Sequence, residues 1–214
     1  GYNVGFNAGA ASGQTVMHLH VHVIPRYAGD SPDPRGGVRH VLPWKGNHLI
    51  QGIPRLSAGG PDDPFLGHVG PLWRGASRVS LLSAFVRQSG LGVLRPLLET
   101  ARAQEGFRLR IITGDYLGIT QPEALEQLRG WEALYDGQVE VRVVETECLP
   151  LGSRSFHPKS WIFESPGGGT AFVGSSNISK SALDGGIEWN LRLDQRDDGP
   201  GWTGILAAFE GWWA

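Results

Sequence analysis

Short apolar strands alternate with helices from residue 76 to the end of the chain, and this alternation restricts the possible folds more than any other feature. Apolar residues at a period of two predict strands, and leucines at helical spacing, as at residues 91–98, predict helices. The predicted strands lie at residues 79–85, 108–113, 139–144, 159–163, 171–173 and 188–193, and the predicted helices at residues 91–104, 122–134 and 202–213. This order is typical of an α/β domain in which helices cover a sheet.

The chain divides into three segments by composition. Residues 1 to about 30 indicate a strand, a loop and a second strand. From Gly29 to about Gly70 the residues Gly, Pro and Asp are frequent, as in a linker or a loosely ordered connection. We therefore place an amino-terminal segment at residues 1–43, a linker at 44–75 and an α/β domain at 76–214. No initiator Met precedes Gly1, so we expect the chain to be part of a longer protein.

Composition excludes several classes of protein. Of the 214 residues, 40% are apolar and 19% are charged, as in globular proteins. The net charge of −2 gives no global basic surface for nucleic acid, although a locally basic cleft is compatible with it. The single Cys148 excludes an internal disulfide and a multi-cysteine zinc site, and we expect a buried thiol. No membrane span or signal peptide is visible, so we expect a cytoplasmic protein without a membrane partner.

Two short motifs near the carboxyl terminus carry residues suited to phosphate chemistry. His157 and Lys159 lie two apart on a predicted strand, so their side chains face the same way. The next strand runs into residues 174–177, where small residues and the Asn177 amide can bind phosphate oxygens. Glu188 follows eleven residues later. Either motif alone is more often a solvated strand edge or an ordinary turn, but together, in this order, they favour a functional site.

The combination of H-x-K, G-S-x-N and the later glutamate resembles the phospholipase D superfamily, also called HKD enzymes. The resemblance covers about residues 75–213, and residues 112–119 and 187–192 resemble the single-HKD domains near the front of restriction- or defence-type helicases. It implies a phospholipase D-like layered domain with a mixed β-sheet flanked by helices. It further implies a metal-independent phosphodiesterase without a cofactor, acting as a nuclease on DNA, with a helicase region in the parent protein.

The same resemblance implies a role for each residue of the motif. His157 would attack phosphorus and form a phosphohistidine, which divides one displacement into two. Lys159, Asn177 and Ser175 would hold the non-bridging oxygens. Glu188 would accept a hydrogen bond from the other imidazole nitrogen and so orient the nucleophile.

The chain departs from the family pattern at two points. The family mechanism uses two histidines, whereas this chain has one H-x-K and no internal repeat. We therefore expect a homodimer whose two-fold axis brings two copies of His157 together. The family's acid seven positions after the histidine is Asp, but Glu164 stands here. Because that acid lies outside the reacting groups in the family, we expect the change to affect local geometry more than chemistry.

A second group of histidines lies near the amino terminus. His18, His20 and His22 share one face of a predicted strand, but the outer two would lie about 13 Å apart, too far for a single metal ion. The pattern resembles the histidine triad (HIT) superfamily of nucleotide hydrolases and transferases, as do residues 12–16 and 25–30. The resemblance implies that His20 is a nucleophile towards an α-phosphate, oriented by His18 and His22, with Gln14 near the leaving group.

The HIT resemblance covers only residues 1–43, whereas a complete HIT domain is two to three times longer. We therefore expect a carboxyl-terminal fragment, a partial α+β segment containing a β-hairpin, which is incompletely folded or docks on the second domain. A HIT-type nucleotide hydrolase or transferase is the alternative function. A non-catalytic scaffold that binds nucleic acid or mediates dimerisation is the third.

The remaining histidines and several cations carry weaker expectations. We expect His40, His48 and His68 to be surface residues without a functional role. The cations that could line a phosphate-binding cleft, or equally lie at solvated strand or helix ends, are Arg87, Arg108, Arg110 and Lys180.

Overall fold

The computed structural model describes residues 1–9, 12, 14, 18–30, 55–149 and 155–214. The chain forms two compact units, Gly1–Ile53 and Pro54–Ala214. In the first unit, β1 (Tyr2–Gly5) and β2 (His22–Pro25) form an antiparallel hairpin in which Val4 is opposite Val23. Its apolar side chains are exposed on both strands, so this hairpin does not enclose a core of its own.

Within the described residues, the second unit contains a seven-stranded sheet in the order β3-β9-β8-β7-β4-β5-β6. The strands are β3 (Leu56–Ser57), β4 (Arg78–Ser83), β5 (Arg108–Gly114), β6 (Val139–Val144), β7 (Ser160–Ser165), β8 (Gly168–Gly174) and β9 (Asn190–Asp194). β4, β5 and β6 are parallel to one another, whereas the other neighbouring pairs are antiparallel. This arrangement confirms the predicted mixed sheet.

Helices cover both faces of this sheet. They are α1 (Phe65–Val69), α2 (Gln88–Ala101), α3 (Pro122–Leu134), α4 (Lys180–Asp184) and α5 (Gly199–Trp213). The first three pack with Leu81 and Leu109 of the central strands in the larger core. α5 packs its Trp202 and Phe209 against Ile162 and other residues of the opposite face. β5 is buried from Leu109 to Gly114, and polar Arg110 and Thr113 are buried in it beside the apolar Leu109, Ile111 and Ile112.

Part of the segment interpreted as a linker belongs to the folded domain. Ser57 is buried in β3, and α1 continues into a 3₁₀ helix at Gly70–Gly75. Phe65, Val69 and Trp73 are buried in the core. These apolar residues recur every four positions, but the Gly and Pro residues between them hide the helical period. Residues 55–75 are therefore structural, and residues 44–54 lie outside the described residues.

Several predicted elements begin elsewhere. α5 begins at Gly199, where the Asp198 side chain accepts a hydrogen bond from Gly201 N and caps the helix. β2 begins at His22, so only the last of the three amino-terminal histidines lies in a strand. The hairpin partner β1 ends at Gly5, which pairs with His22, and the ladder stops there. None of the helices in the described part of the chain is long and apolar enough to cross a membrane.

Two single-residue expectations are wrong. Cys148 is exposed and not buried, because it lies in a 3₁₀ turn after β6, where its Sγ contacts Glu145 Oε2 at 3.3 Å. His68 is not a bland surface residue, because its Nε2 lies 2.5 Å from Asp63 Oδ1 and its side chain is 14% exposed. His40 and His48 lie outside the described residues.

Candidate active site

The predicted catalytic residues come together at one end of the neighbouring strands β7, β8 and β9. His157 and Lys159 directly precede β7, Ser175 and Asn177 directly follow β8, and Glu188 lies just before β9. β7 and β9 both run antiparallel to β8, so the start of each lies beside the end of β8. Antiparallel pairing thus gathers three loops that are distant in sequence.

His157 and Lys159 are in direct contact. The Lys159 Nζ lies 2.6 Å from Nδ1 and 2.9 Å from Nε2 of His157, and it donates to the His157 carbonyl at 2.8 Å. The lysine is 6% exposed, whereas the histidine is open to solvent. The ring of Tyr116 packs against the imidazole with centroids 4.4 Å apart. The cation is therefore held within reach of any group bound at the imidazole.

The electrostatics of this pair favour a neutral imidazole. Partial desolvation of the ring by its neighbours, and then the charge of Lys159, lower the pKa of His157 below its usual 6.5. Burial also lowers the pKa of Lys159, while the negative charge of Glu188 opposes that shift. An uncharged imidazole is the form with a free lone pair, so the site keeps His157 in the state that a nucleophile needs at neutral pH.

Asn177 is oriented by the strand beside it. Its Oδ1 accepts hydrogen bonds from Ser83 Oγ and from Phe85 N, both at 3.3 Å, and the residue is 7% exposed. With the oxygen engaged, the nitrogen Nδ2 points the other way and lies 3.5 Å from the Ser175 carbonyl. Asn177 therefore presents an N–H donor on the side of Ser175.

Glu188 has a different partner from the one expected. Its Oε2 accepts a hydrogen bond from Ser175 Oγ, and Trp189 N donates to the same hydroxyl at 3.1 Å. Among the described residues, no hydrogen bond joins Glu188 to His157. The β8–β9 register explains this, because Gly174 is opposite Asn190 and brings Ser175 next to the Glu188 segment. In one chain, Glu188 orients Ser175 and acts on Lys159 through its charge.

Three further residues support the site and were not predicted from the sequence. Asn190 is 1% exposed, and its amide contacts Ser176 N at 3.3 Å and Ser176 Oγ at 2.8 Å. A side chain at Gly174 would meet the backbone, with its Cβ 2.0 Å from the Trp189 carbonyl oxygen. Ser83 connects Asn177 to β4. A signal for the first was present, since a polar residue at the start of a predicted strand needs a buried partner.

The candidate cations separate into two groups. Arg108 lies at the start of β5, which is the end of the sheet away from the site. Arg110 is 8% exposed, and its guanidinium contacts Glu210 and Ser80. Arg87 and Lys180, in contrast, are exposed and flank Ile178, the residue after Asn177. Only the second pair is placed to extend the site.

Glu164 lies at the end of β7 that is remote from the site. Its Oε1 lies 3.4 Å from Arg78 Nη1, and its backbone carbonyl accepts from Ser77 N at 2.8 Å. The pair joins β7 to β4. The glutamate that replaces the family's aspartate thus has a structural contact and does not touch His157.

The amino-terminal histidines lie next to one another. Their ring centroids are 6.0 Å apart between His18 and His20 and 4.9 Å apart between His20 and His22. His20 Nδ1 lies 3.2 Å from the His18 carbonyl oxygen, and Gln14 Oε1 accepts from Gly9 N at 2.7 Å. In the described part of the chain, no three His, Cys, Asp or Glu side chains are grouped to hold a metal ion.

Comparison with known proteins gives matches for both segments. Residues 1–29 match the HIT domain family. Thirty residues are 57% identical to an uncharacterised HIT-like protein of Methanocaldococcus jannaschii and cover 14% of this chain and 23% of that protein. The matched segment thus spans less than a quarter of that relative's length.

Two solved structures are similar to this chain at low sequence identity. NucT from Helicobacter pylori is 16% identical, with a TM-score of 0.46, and the match covers 68% of this chain and 85% of that one. Polyphosphate kinase from Porphyromonas gingivalis is 15% identical, with a TM-score of 0.50, over 93% of this chain and 28% of the kinase.

The second segment also matches a family model. Residues 86–208 match the family described as cardiolipin synthase, PLD-like domain. This range contains His157, Lys159, Ser175, Asn177 and Glu188. Because it spans more than half of the chain, the chain belongs to this PLD-like family.

Proposed function

We propose that this chain is a metal-independent phosphodiesterase that cleaves DNA. Membership of the PLD-like family supports a phosphoryl-transfer enzyme. The observation that carries the proposal is the contact between His157 and Lys159, which combines an imidazole of lowered pKa with a buried cation 2.6 Å away. A nucleophile beside a fixed positive charge is the arrangement that attack on an anionic phosphodiester requires.

The proposed reaction has two displacements at phosphorus. An imidazole nitrogen of His157 forms a bond to phosphorus while the bond to one ester oxygen breaks, and that oxygen takes a proton from a second imidazole. Water then attacks the phosphohistidine, gives its proton to the second imidazole and restores both groups. Lys159, Asn177 Nδ2 and the Ser175 hydroxyl stabilise the non-bridging oxygens as charge develops. Glu188 holds the Ser175 hydroxyl in place.

The second imidazole comes from another copy of the chain in this proposal. The described site contains one histidine, and the leaving oxygen needs an acid on the opposite side of phosphorus from the nucleophile. A two-fold axis through the phosphate would supply the same residue, His157, in that position, and the negative charge of the bound phosphodiester would favour the protonated form of this second copy. In the cell, we propose that this dimer is the nuclease module of a larger cytoplasmic protein that contains a helicase region.

The decisive experiment is cleavage in the presence of a chelator. Plasmid DNA, RNA, phospholipid and bis(p-nitrophenyl) phosphate are incubated with the protein in EDTA. Wild type should cleave DNA, and His157→Ala should lose the activity, by at least about a thousandfold if it is the nucleophile. His20→Ala is the matched control and should retain it. Loss of cleavage on chelation, or equal activity of the two variants, would refute the proposal, and DNA binding without cleavage would favour a scaffold.

A second candidate function is nucleotide hydrolysis by the HIT segment. The contact of His20 Nδ1 with the His18 carbonyl oxygen favours it, because a proton on Nδ1 leaves the lone pair of Nε2 free for attack. Release of nucleoside monophosphate from a dinucleotide would test it. If His20→Ala abolishes this release and His157→Ala does not, the HIT segment is the active one.

A further inference from the structure

The turn after β3 lies directly against the segment that carries Glu188. Gly59 has a φ of +71°, and a Cβ built there would be 2.3 Å from Glu188 N and 2.5 Å from the Gly186 carbonyl oxygen. Gly60 N donates to the same carbonyl at 2.7 Å. Real Cβ atoms do not approach backbone atoms this closely, so only glycine fits at position 59 without moving the Glu188 segment.

A carboxylate holds this turn from the other side. Asp63 Oδ2 accepts a hydrogen bond from Ala58 N at 2.8 Å, and Oδ1 lies 2.5 Å from His68 Nε2. The hydrogen bond to His68, followed by that from Ala58 N, lowers the pKa of Asp63, so the carboxylate is charged at neutral pH. The Asp63 side chain thus connects the turn to α1 through these two contacts.

α1 is itself held by packing on β8 in the core. The His68 ring packs edge-on to Phe172 of β8 with centroids 6.5 Å apart, and Phe65 packs on the same ring at 5.3 Å. Phe172 is 1% exposed. A rigid part of the sheet therefore fixes the position of the turn.

The opposite side of the Glu188 segment is held by the loop after β8. Ser175 N donates to the Trp189 carbonyl at 3.0 Å, and Trp189 N donates back to Ser175 Oγ. The segment thus lies between the turn at Gly59 and the loop at Ser175. We propose that Gly59, Asp63 and His68 are positioning residues that set the place of the Glu188 carboxylate, an inference that rests on the proposed phosphodiesterase function.

Two neighbouring glycines allow a matched test. Gly59→Ala places a methyl group against the backbone of Glu188, whereas Gly60, with φ +84°, has no described atom within 4 Å of its Cβ position. Both changes place alanine in the left-handed backbone region and impose similar strain there, but only Gly59→Ala displaces the Glu188 segment. Gly59→Ala should lower kcat on bis(p-nitrophenyl) phosphate by about a hundredfold, and Gly60→Ala should stay within about threefold of wild type. Equal losses would overturn the inference.

A double mutant separates positioning from general damage. If Gly59 acts through Glu188, Gly59→Ala should cause no further loss in a Glu188→Gln background, whereas a merely structural effect would multiply with it. If Gly59→Ala does not fold, Asp63→Asn, which removes the charge facing His68, replaces it in the same cycle. Multiplying losses in either cycle would refute the inference.

Hydrogen exchange provides a readout that does not depend on activity. The amide of Trp189 donates to Ser175 Oγ. Its hydrogen-exchange rate should rise in Gly59→Ala and should stay at the wild-type value in Gly60→Ala. If the wild type cleaves no phosphodiester, the proposed function fails, but this comparison still decides whether the turn positions the segment. Unchanged exchange in a folded Gly59→Ala protein would overturn the inference.

Discussion

Replacing Asn190 by alanine would remove the amide that joins β9 to the loop containing Ser175 and Asn177. Asn190 is 1% exposed, and it accepts from Ser176 N at 3.3 Å and donates to Ser176 Oγ at 2.8 Å. Ser176 is itself fully buried, so water cannot replace the lost partner without opening the loop. The change therefore leaves two buried polar groups without a partner.

The expected cost follows from these two groups. A buried donor or acceptor that loses its partner costs about 1–3 kcal/mol, so two of them together should lower the free energy of unfolding by about 3 kcal/mol. That is a large part of the ~5–15 kcal/mol that a domain has in total. Leu191→Ala is the matched control on the same strand. Because Leu191 is 56% exposed, its truncation should cost less than about 1 kcal/mol.

Urea denaturation followed by circular dichroism measures both values. Ser176→Ala removes one of the two contacts and should cost about 1–2 kcal/mol, and the double variant with Asn190→Ala should cost less than the sum. Asn190→Ala should also reduce phosphodiester cleavage at temperatures where it is fully folded, because Ser175 and Asn177 flank Ser176. A loss below about 1 kcal/mol, or strictly additive effects, would refute the assignment of these hydrogen bonds as the support of the loop.

Cleavage by the wild type should fall as the pH drops, along a limb whose midpoint lies below 6.5. Partial desolvation and the charge of Lys159 lower the pKa of His157, and protonation of the nucleophilic copy removes its lone pair. A pH–rate profile with a midpoint above 6.5 would contradict this. Glu210→Gln should lower the free energy of unfolding by about 1–2 kcal/mol, because the buried Arg110 guanidinium loses the charge of a carboxylate at 3.0 Å and solvent replaces that charge only in part. An unchanged denaturation midpoint would argue against a stabilising ion pair between Arg110 and Glu210. Cys148 should be alkylated by iodoacetamide in the folded protein, because it is exposed, but more slowly than free cysteine, because the hydrogen bond to a neighbouring glutamate raises the pKa of its thiol. Alkylation that requires denaturant would refute the exposed placement.

Two regular elements could be predicted from the sequence with the correct bounds, whereas α2 and α5 each begin three residues earlier than predicted. α3 occupies Pro122–Leu134 and β6 occupies Val139–Val144, as the patterns indicate. Proline at the first helical position and clear alternation in the strand are local signals. β3 has two residues and α1 has five, which is too short for either period to be visible. Their structure depends on β9 and on the core, so tertiary contacts decide it.

The same distinction applies to the site. The motifs place His157 with Lys159, and Ser175 with Asn177, because each pair is close in sequence. The partner of Glu188 depends on the pairing of β8 with β9, which the sequence does not specify, and this is why the expected hydrogen bond to His157 is replaced by one to Ser175. The role of Asp63 was hidden for the same reason, since its partners Ala58 and His68 lie in a stretch whose composition indicates a linker.

Two glycines, Gly59 and Gly174, border the segment from Glu188 to Asn190. A Cβ at either glycine would lie within 2.3 Å of a backbone atom of this segment. Contacts between two stretches of main chain cannot relax by a change of rotamer, as contacts between side chains can. Backbone contacts therefore set the path of the main chain at Glu188, while the carboxylate at the end of the side chain also depends on the Ser175 hydroxyl. Mutational tolerance here should be lowest at two positions that carry no reactive group, and a saturation mutagenesis map would show them as intolerant as the histidine itself.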